Sequence, residues 1–303
     1  MAFAKYLMDW MTDCDNSDIN ILVIGETGSG KSTLINSVLG FSKVKERQEL
    51  QRKKTVELKR WQNTIGSVQI NMWDSPGLGG HDRKEKEKAI EALKKNCRDV
   101  DLCLFCCDMS NTRYFPEYCE ETKVLCDSFE KSIWKHTVFV LTFANKFLLR
   151  IEDDFRGNPI GMKQKFVHLV KIWKQKIHMH LEKKMKVDPK IIKNIKVVPA
   201  GDHRTHQLFP DDDTKWLSEL WLQVTGAIRH TAKPAALKIC QQVLEKTESD
   251  PMDQLSVTLS LVVRETSRAS YACAMDQETD LDDDKPQGQS IPLHMMMSRA
   301  NVS

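Results

Sequence analysis

Asn20-Ile21-Leu22-Val23-Ile24-Gly25-Glu26-Thr27-Gly28-Ser29-Gly30-Lys31-Ser32 is the stretch on which the fold turns. Its first half is a short run of large aliphatic residues, the pattern of a strand buried on both faces of a parallel sheet. Its second half fits G-x-x-x-x-G-K-[ST] at every position. The glycines let the backbone curl so that successive N–H groups point inward at phosphate oxygens. Lys31 is placed to neutralise charge between the β- and γ-phosphates, and the Ser32 hydroxyl to coordinate magnesium. A helix over 32–39 follows, offering its positive N-terminal end to the same anion. Gly25, Glu26, Thr27, Gly28, Ser29, Gly30, Lys31, Ser32 and Thr33 are therefore candidate nucleotide contacts.

Outward from this loop, strand and helix patterns alternate. A strand-like pair covers 56–61 and 67–73, and a helix 84–97. A buried strand covers 100–107, a helix 118–129 and another buried strand 137–141. A long helix pattern over 161–185, a last strand at 195–199 and a helix over 213–230 complete the series. Strands and helices alternating at this spacing predict an α/β sheet covered by helices on both faces. Residues 1–19 place Phe3, Tyr6, Leu7, Trp10 and Met11 on one face of a short helix. The nucleotide domain is expected over 20–240. Beyond it, residues 241–303 carry few aromatics and an acidic cluster (Glu278, Asp280, Asp282, Asp283, Asp284), the composition of a disordered tail.

Composition agrees with a folded, water-soluble chain. The 303 residues are 41% hydrophobic and 29% charged, which excludes wholesale disorder. Lys+Arg 45 against Asp+Glu 42 leaves only +3, too little for a chain that coats nucleic acid. No apolar run approaches the roughly 20 residues of a membrane span. Lys5, Asp9 and Asp13 spoil a signal peptide. Nine cysteines without regular spacing read as reduced thiols, so a cytoplasmic location is expected.

Three further features bear on which nucleotide is handled. Asp74-Ser75-Pro76-Gly77 closes the strand 67–73, with Asp74 near magnesium through water and the Gly77 N–H facing a third phosphate. Thr55 lies between the first helix and the following strand, where a hydroxyl can close over the metal. Thr142-Phe143-Ala144-Asn145 follows a buried strand, the place of a base-reading element. The set GETGSGKST, DSPG, LTFAN and VVPAG resembles the septin-like GTPases of the immunity-associated nucleotide-binding (GIMAP-like) family, whose plant relatives include the chloroplast outer-membrane import receptors. The resemblance covers about 19–230. It implies GTP/GDP and Mg²⁺ as ligands, an added helix, and a homodimer formed across the nucleotide face. On this resemblance Lys31, Ser32, Asp74, Gly77 and Thr55 carry over as phosphate and metal residues.

The base-reading element departs from Asn-Lys-x-Asp. Asn145 stands where Asp would accept from guanine N1–H and N2–H, and a neutral amide gives up the charge-assisted half of such a bond. Ala200, in Pro199-Ala200-Gly201, is placed to offer a backbone N–H to guanine O6. No catalytic residue is identified: Leu78 follows Gly77 where many small GTPases carry a water-orienting Gln, and His81, Asp82 and Arg83 are the weak candidates in the next stretch. Cys103-x-x-Cys106-Cys107 sits in a buried strand and reads as packing, His178 and His180 diverge on one helix, and His203 and His206 are candidates for stacking on the base. Residues 163–196 hold 11 lysines against Glu182 and Asp188, an extra basic helix suited to a peripheral, electrostatic contact with an anionic membrane. Nucleic acid is not expected as a partner. The expectation is thus a three-layer α/β P-loop domain acting as a slow GTPase switch. Two alternatives stand beside it: a GTP-locked assembly scaffold, and a P-loop ATPase or kinase.

Overall fold

The computed structural model describes residues 18–40, 58–77, 83–111, 120–201, 208–209 and 215–245, all within the compact unit Met1–Gln254. Six strands, β1 (Ile19–Gly25), β2 (Lys59–Ile65), β3 (Val68–Asp74), β4 (Leu102–Asp108), β5 (Thr137–Thr142) and β6 (Lys196–Pro199), form one sheet of order β2-β3-β1-β4-β5-β6. β2 is antiparallel to β3, and every other neighbouring pair is parallel. The aliphatic run of β1 lies between β3 and β4, with Ile21, Leu22, Val23 and Ile24 all fully covered. Continuous hydrophobicity there, in place of alternation, follows from burial on both faces. β2 is the edge. It alternates exposed and half-covered residues and begins with Lys59 and Arg60, charges that blunt an open edge against pairing with another chain. The two-residue turn Gly66-Ser67 joins β2 to β3 with Gly66 at φ 59, the positive φ that a tight hairpin asks of its first turn residue.

Helices α1 (Lys31–Leu39), α2 (Arg83–Asn96), α3 (Glu120–Ser128), α4 (Ala144–Ile151), α5 (Pro159–Lys183), α6 (Pro189–Asn194), α7 (Trp216–Ala227) and α8 (Lys233–Glu245) cover the sheet. Leu22 and Ile24 share a core with Phe105 and Phe139 of the sheet, Leu93 of α2, Val124 and Leu125 of α3, and Phe166, Trp173 and Ile177 of α5. α1 and α8 lie against β3, and α7 against β5 and β6, which completes three layers.

The long pattern expected over 161–185 is α5. It starts earlier because Pro159 is tolerated in a first turn and the Asn158 side chain accepts the Gly161 N–H at 2.8 Å. Three helices were not expected: the six-residue α6, α4 and α8. α4 is short and opens with the polar pair Asn145-Lys146 inside the base-reading element. α8 begins at Lys233-Pro234, and proline reads as a stop although it fits a helix's first turn. The domain boundary expected at 240 falls inside α8, where Cys240 is buried and the helix continues to Glu245. The helix expected over 1–19 lies outside the described residues except for its last two, where Ile19 starts β1. The tail expected over 241–303 lies outside them beyond Glu245.

Candidate nucleotide-binding site

The loop between β1 and α1 is held by its own side chains. Lys31 is buried, and its Nζ donates to the carbonyls of Gly25 at 2.8 Å and Glu26 at 2.9 Å. The ammonium is thereby fixed against the curled backbone. Ser29 N–H closes the turn on the Glu26 carbonyl at 3.0 Å. A side chain at Gly25 would collide with the Cys106 carbonyl and Ser29 Oγ, so β1 can pass this close to β4 only as glycine. Burial, then the nearby Glu121, raises the Glu26 carboxyl above its ordinary range, while Lys31 opposes the shift.

The two phosphate motifs meet across the sheet. Ser32 Oγ donates to Asp74 Oδ2 at 2.9 Å, bringing together two of the three expected metal residues, one in the first turn of α1 and the other at the end of β3. Thr27 Oγ1 donates to the Gly77 carbonyl at 3.1 Å. Gly77 lies so close to the Thr27 backbone that any Cβ would overlap it. A hydroxyl and a carboxylate oxygen at hydrogen-bond distance, beside a buried ammonium and a glycine-lined turn, form a donor set that suits Mg²⁺ and a polyphosphate.

The expected base-reading element is carried by the end of β5, by α4 and by the end of β6. The Thr142 hydroxyl lies 2.7 Å from the Ser29 carbonyl and 3.0 Å from that of Cys107, tying β5 to the phosphate loop. Phe143 sits at φ 57, a left-handed conformation unusual for a bulky residue and typical of functional turns. Lys146 Nζ stands 4.1 Å from the Phe143 ring centroid, within cation–π range. Asn145 Oδ1 is buried and has no hydrogen-bond partner. Such an acceptor costs on the order of 1–3 kcal/mol unless something donates to it.

Ala200 requires a correction. Its N–H donates to the Leu141 carbonyl at 2.8 Å, and its own carbonyl accepts from Ala144 N–H at 3.1 Å. Both backbone groups are spent on extending the β5–β6 pairing, so Ala200 has no amide to offer a base. Thr55 and His81 lie outside the described residues, as do Leu78, Asp82, His203 and His206. Arg83 is the first residue of α2. Cys103, Cys106 and Cys107 are buried in β4, and burial pushes the Cys106 thiol up to about 12. No cluster of metal-ligating residues occurs among the described residues. His180 is buried against Thr122 Oγ1 at 3.1 Å, whereas His178 is half-buried beside Ile195, so the two histidines do diverge. Sequence reasoning missed the roles of Thr142 and Lys146. The signal was present, since Thr142 opens the strand-end tetrapeptide and Lys146 stands three residues after Phe143 on a helix start.

The AIG1 family model matches residues 19–183. Translocase of chloroplast 90 of Arabidopsis thaliana is 29% identical over 133 residues, 42% of this chain and 16% of that protein. Translocase of chloroplast 33 of Arabidopsis thaliana is 29% identical over 134 residues, 43% of each. The match thus spans less than half the length of these curated relatives. Among solved structures, Toc33 from Arabidopsis thaliana in complex with Mg²⁺ and GMPPNP superposes with a TM-score of 0.53 at 18% identity, covering 76% of this chain and 90% of that one. At that identity the likeness bears on the fold alone. It places the sheet and its helical layers among three-layer α/β G domains.

Proposed function

The chain belongs to the AIG1 family, and from that premise we propose that it is a guanine-nucleotide switch that binds Mg-GTP, hydrolyses it slowly and self-associates through its nucleotide face. One observation carries the reading: the phosphate loop and the Asp74–Gly77 turn are joined by Ser32–Asp74 and Thr27–Gly77 hydrogen bonds. A turn that touches the loop at Gly77 is placed to respond to the third phosphate. In this reading Gly25–Thr33 cradle the phosphates, Ser32 and Asp74 hold the metal (Asp74 through water) and Thr55 closes over it. Asn145 reads the base, and Gly201 takes the place first assigned to Ala200. The Toc33 structures with GMPPNP or GDP and Mg²⁺ support the choice of ligands. Denaturing the purified protein and separating the released nucleotide by anion exchange is the test. Guanine nucleotides are expected, and adenine nucleotides alone would overturn the reading.

The unpartnered Asn145 Oδ1 gives a graded prediction on base choice. A neutral acceptor is expected to favour GTP over ATP by a modest factor. Asn145→Asp should widen the preference by about tenfold, since a charge-assisted bond is roughly twice as strong as a neutral one. Asn145→Ala should narrow it. Competition binding with a fluorescent guanine nucleotide reads all three, and equal displacement by ATP and GTP in the parent would sink the guanine assignment.

The second reading is a scaffold that holds GTP and scarcely cleaves it. Leu78 favours it, because an aliphatic side chain after Gly77 cannot orient water.

A further inference from the structure

α5 is strongly asymmetric in charge. It carries Lys163, Lys165, Lys171, Lys174, Lys176 and Lys183, and its only carboxylate is Glu182. One side, with Phe166, Trp173, Ile177 and Leu181, is buried in the core. The other side is basic but not simply polar. Ile160 is 71% exposed and Val167 59% exposed; among the described residues the only other large aliphatic so open is Leu149 of α4 at 67%. Ile160, Val167, Lys171 and Lys174 follow one another at seven, four and three residues, so they share a single stripe of the helix. At ~1.5 Å per residue the stripe is about 21 Å long. A shallow apolar depression adjoins Val167 between Lys163 and Lys171.

A face that merely meets water has no need of two branched aliphatics among its lysines. A surface that supplies both anionic groups and an apolar layer accounts for both residue types. Lysines settle on headgroups while aliphatic side chains reach the boundary with the acyl chains. Nucleic acid would engage the lysines but gives Ile160 and Val167 little to bury against. Among the described residues no helix is long and apolar enough to cross a membrane, so contact through α5 would run along the surface. We infer that the exposed stripe Ile160–Val167–Lys171–Lys174 is a docking surface for an anionic lipid bilayer, with the two aliphatics entering between the headgroups. This goes beyond the nucleotide reading and does not depend on it. It also revises the purely electrostatic contact expected from the lysine count.

The test uses the full chain, sedimented with vesicles of phosphatidylcholine alone or with phosphatidylserine, across a range of salt. The parent is expected to sediment with the anionic vesicles only, and to keep a small bound fraction at high salt. Lys171→Gln with Lys174→Gln should weaken binding about thirtyfold at low salt, at roughly 1 kcal/mol per lysine near an anionic surface. Ile160→Ser with Val167→Ser should remove the salt-resistant fraction while leaving the attraction at low salt. Both double variants change exposed residues remote from the phosphate loop. Unchanged GTP affinity therefore certifies their folding, and a parent that binds no nucleotide would count against the switch and not against this surface. Absence of binding to anionic vesicles at low salt, equal binding to neutral ones, or a serine variant that follows the parent at every salt would overturn the inference. If the serine variant instead lost self-association while no vesicle bound, the face would belong to a second copy of the chain and the bilayer would be excluded.

Discussion

Lys31→Ala is expected to weaken Mg-GTP binding by at least about 100-fold. The ammonium would lose charge-assisted bonds to two phosphate groups, each worth roughly 1.5–3 kcal/mol, and about 1.4 kcal/mol corresponds to tenfold in affinity. The folded state should survive, because alanine favours a helix start and the residue's stem contributes little to the core. The substitution does take the Lys31 donor away from the Gly25 and Glu26 carbonyls, at 2.8 and 2.9 Å in the parent. The loop should therefore loosen without the domain unfolding. Lys31→Met separates the two effects, since it keeps the length of the stem and removes only the charge. Titration calorimetry with GTP and magnesium, alongside a melting curve of the nucleotide-free protein, reads both. A variant that melts like the parent and binds GTP as tightly would show that the Gly25–Ser32 loop is not the phosphate site.

How much of this was legible in the sequence depends on the range of the interactions involved. The buried strands could be read because burial on both faces demands unbroken hydrophobic runs, and Ile21–Ile24 and Val138–Leu141 are such runs. The phosphate loop could be read because its function imposes spacing on the chain itself. The meeting of Ser32 with Asp74 was legible as a motif pair, yet their contact depends on the parallel register Val23↔Asp74, which joins residues far apart in the chain. Ala200 shows the opposite failure. Its position after the last strand was read correctly, but whether its amide is free depends on where the β5–β6 ladder ends, and that ladder runs one residue further than its aliphatic pattern. α4 escaped because eight residues hold too few turns to show a helical period, and the left-handed Phe143 that starts it leaves no sequence signature outside glycine and asparagine. The apolar crest of α5 escaped for a simpler reason. Ile160 and Val167 match the aliphatic content of a core stripe, and only the direction in which the helix packs reveals that they face outward.

Turnover per molecule is expected to rise with protein concentration. On the proposed reading Ser32, Asp74, Lys31 and Gly77 hold the phosphates and metal, while Leu78 stands where a water-orienting residue would be. On that reading no described residue is assigned to act on the transition state alone. The physical remedy is a basic residue supplied by a second molecule, worth on the order of 10³–10⁵ in rate when it is an arginine. A dimer that closes over the third phosphate should be favoured by a GTP analogue and weakened by GDP, if the Thr27–Gly77 contact senses that phosphate as proposed. Phosphate release measured over a wide concentration range, with light scattering on the same samples, separates the two readings. Specific activity that climbs as the dimer forms supports catalysis by pairing. Specific activity that stays flat while the dimer forms with the GTP analogue would leave assembly without catalysis, and the nucleotide would then act as a lock on a scaffold.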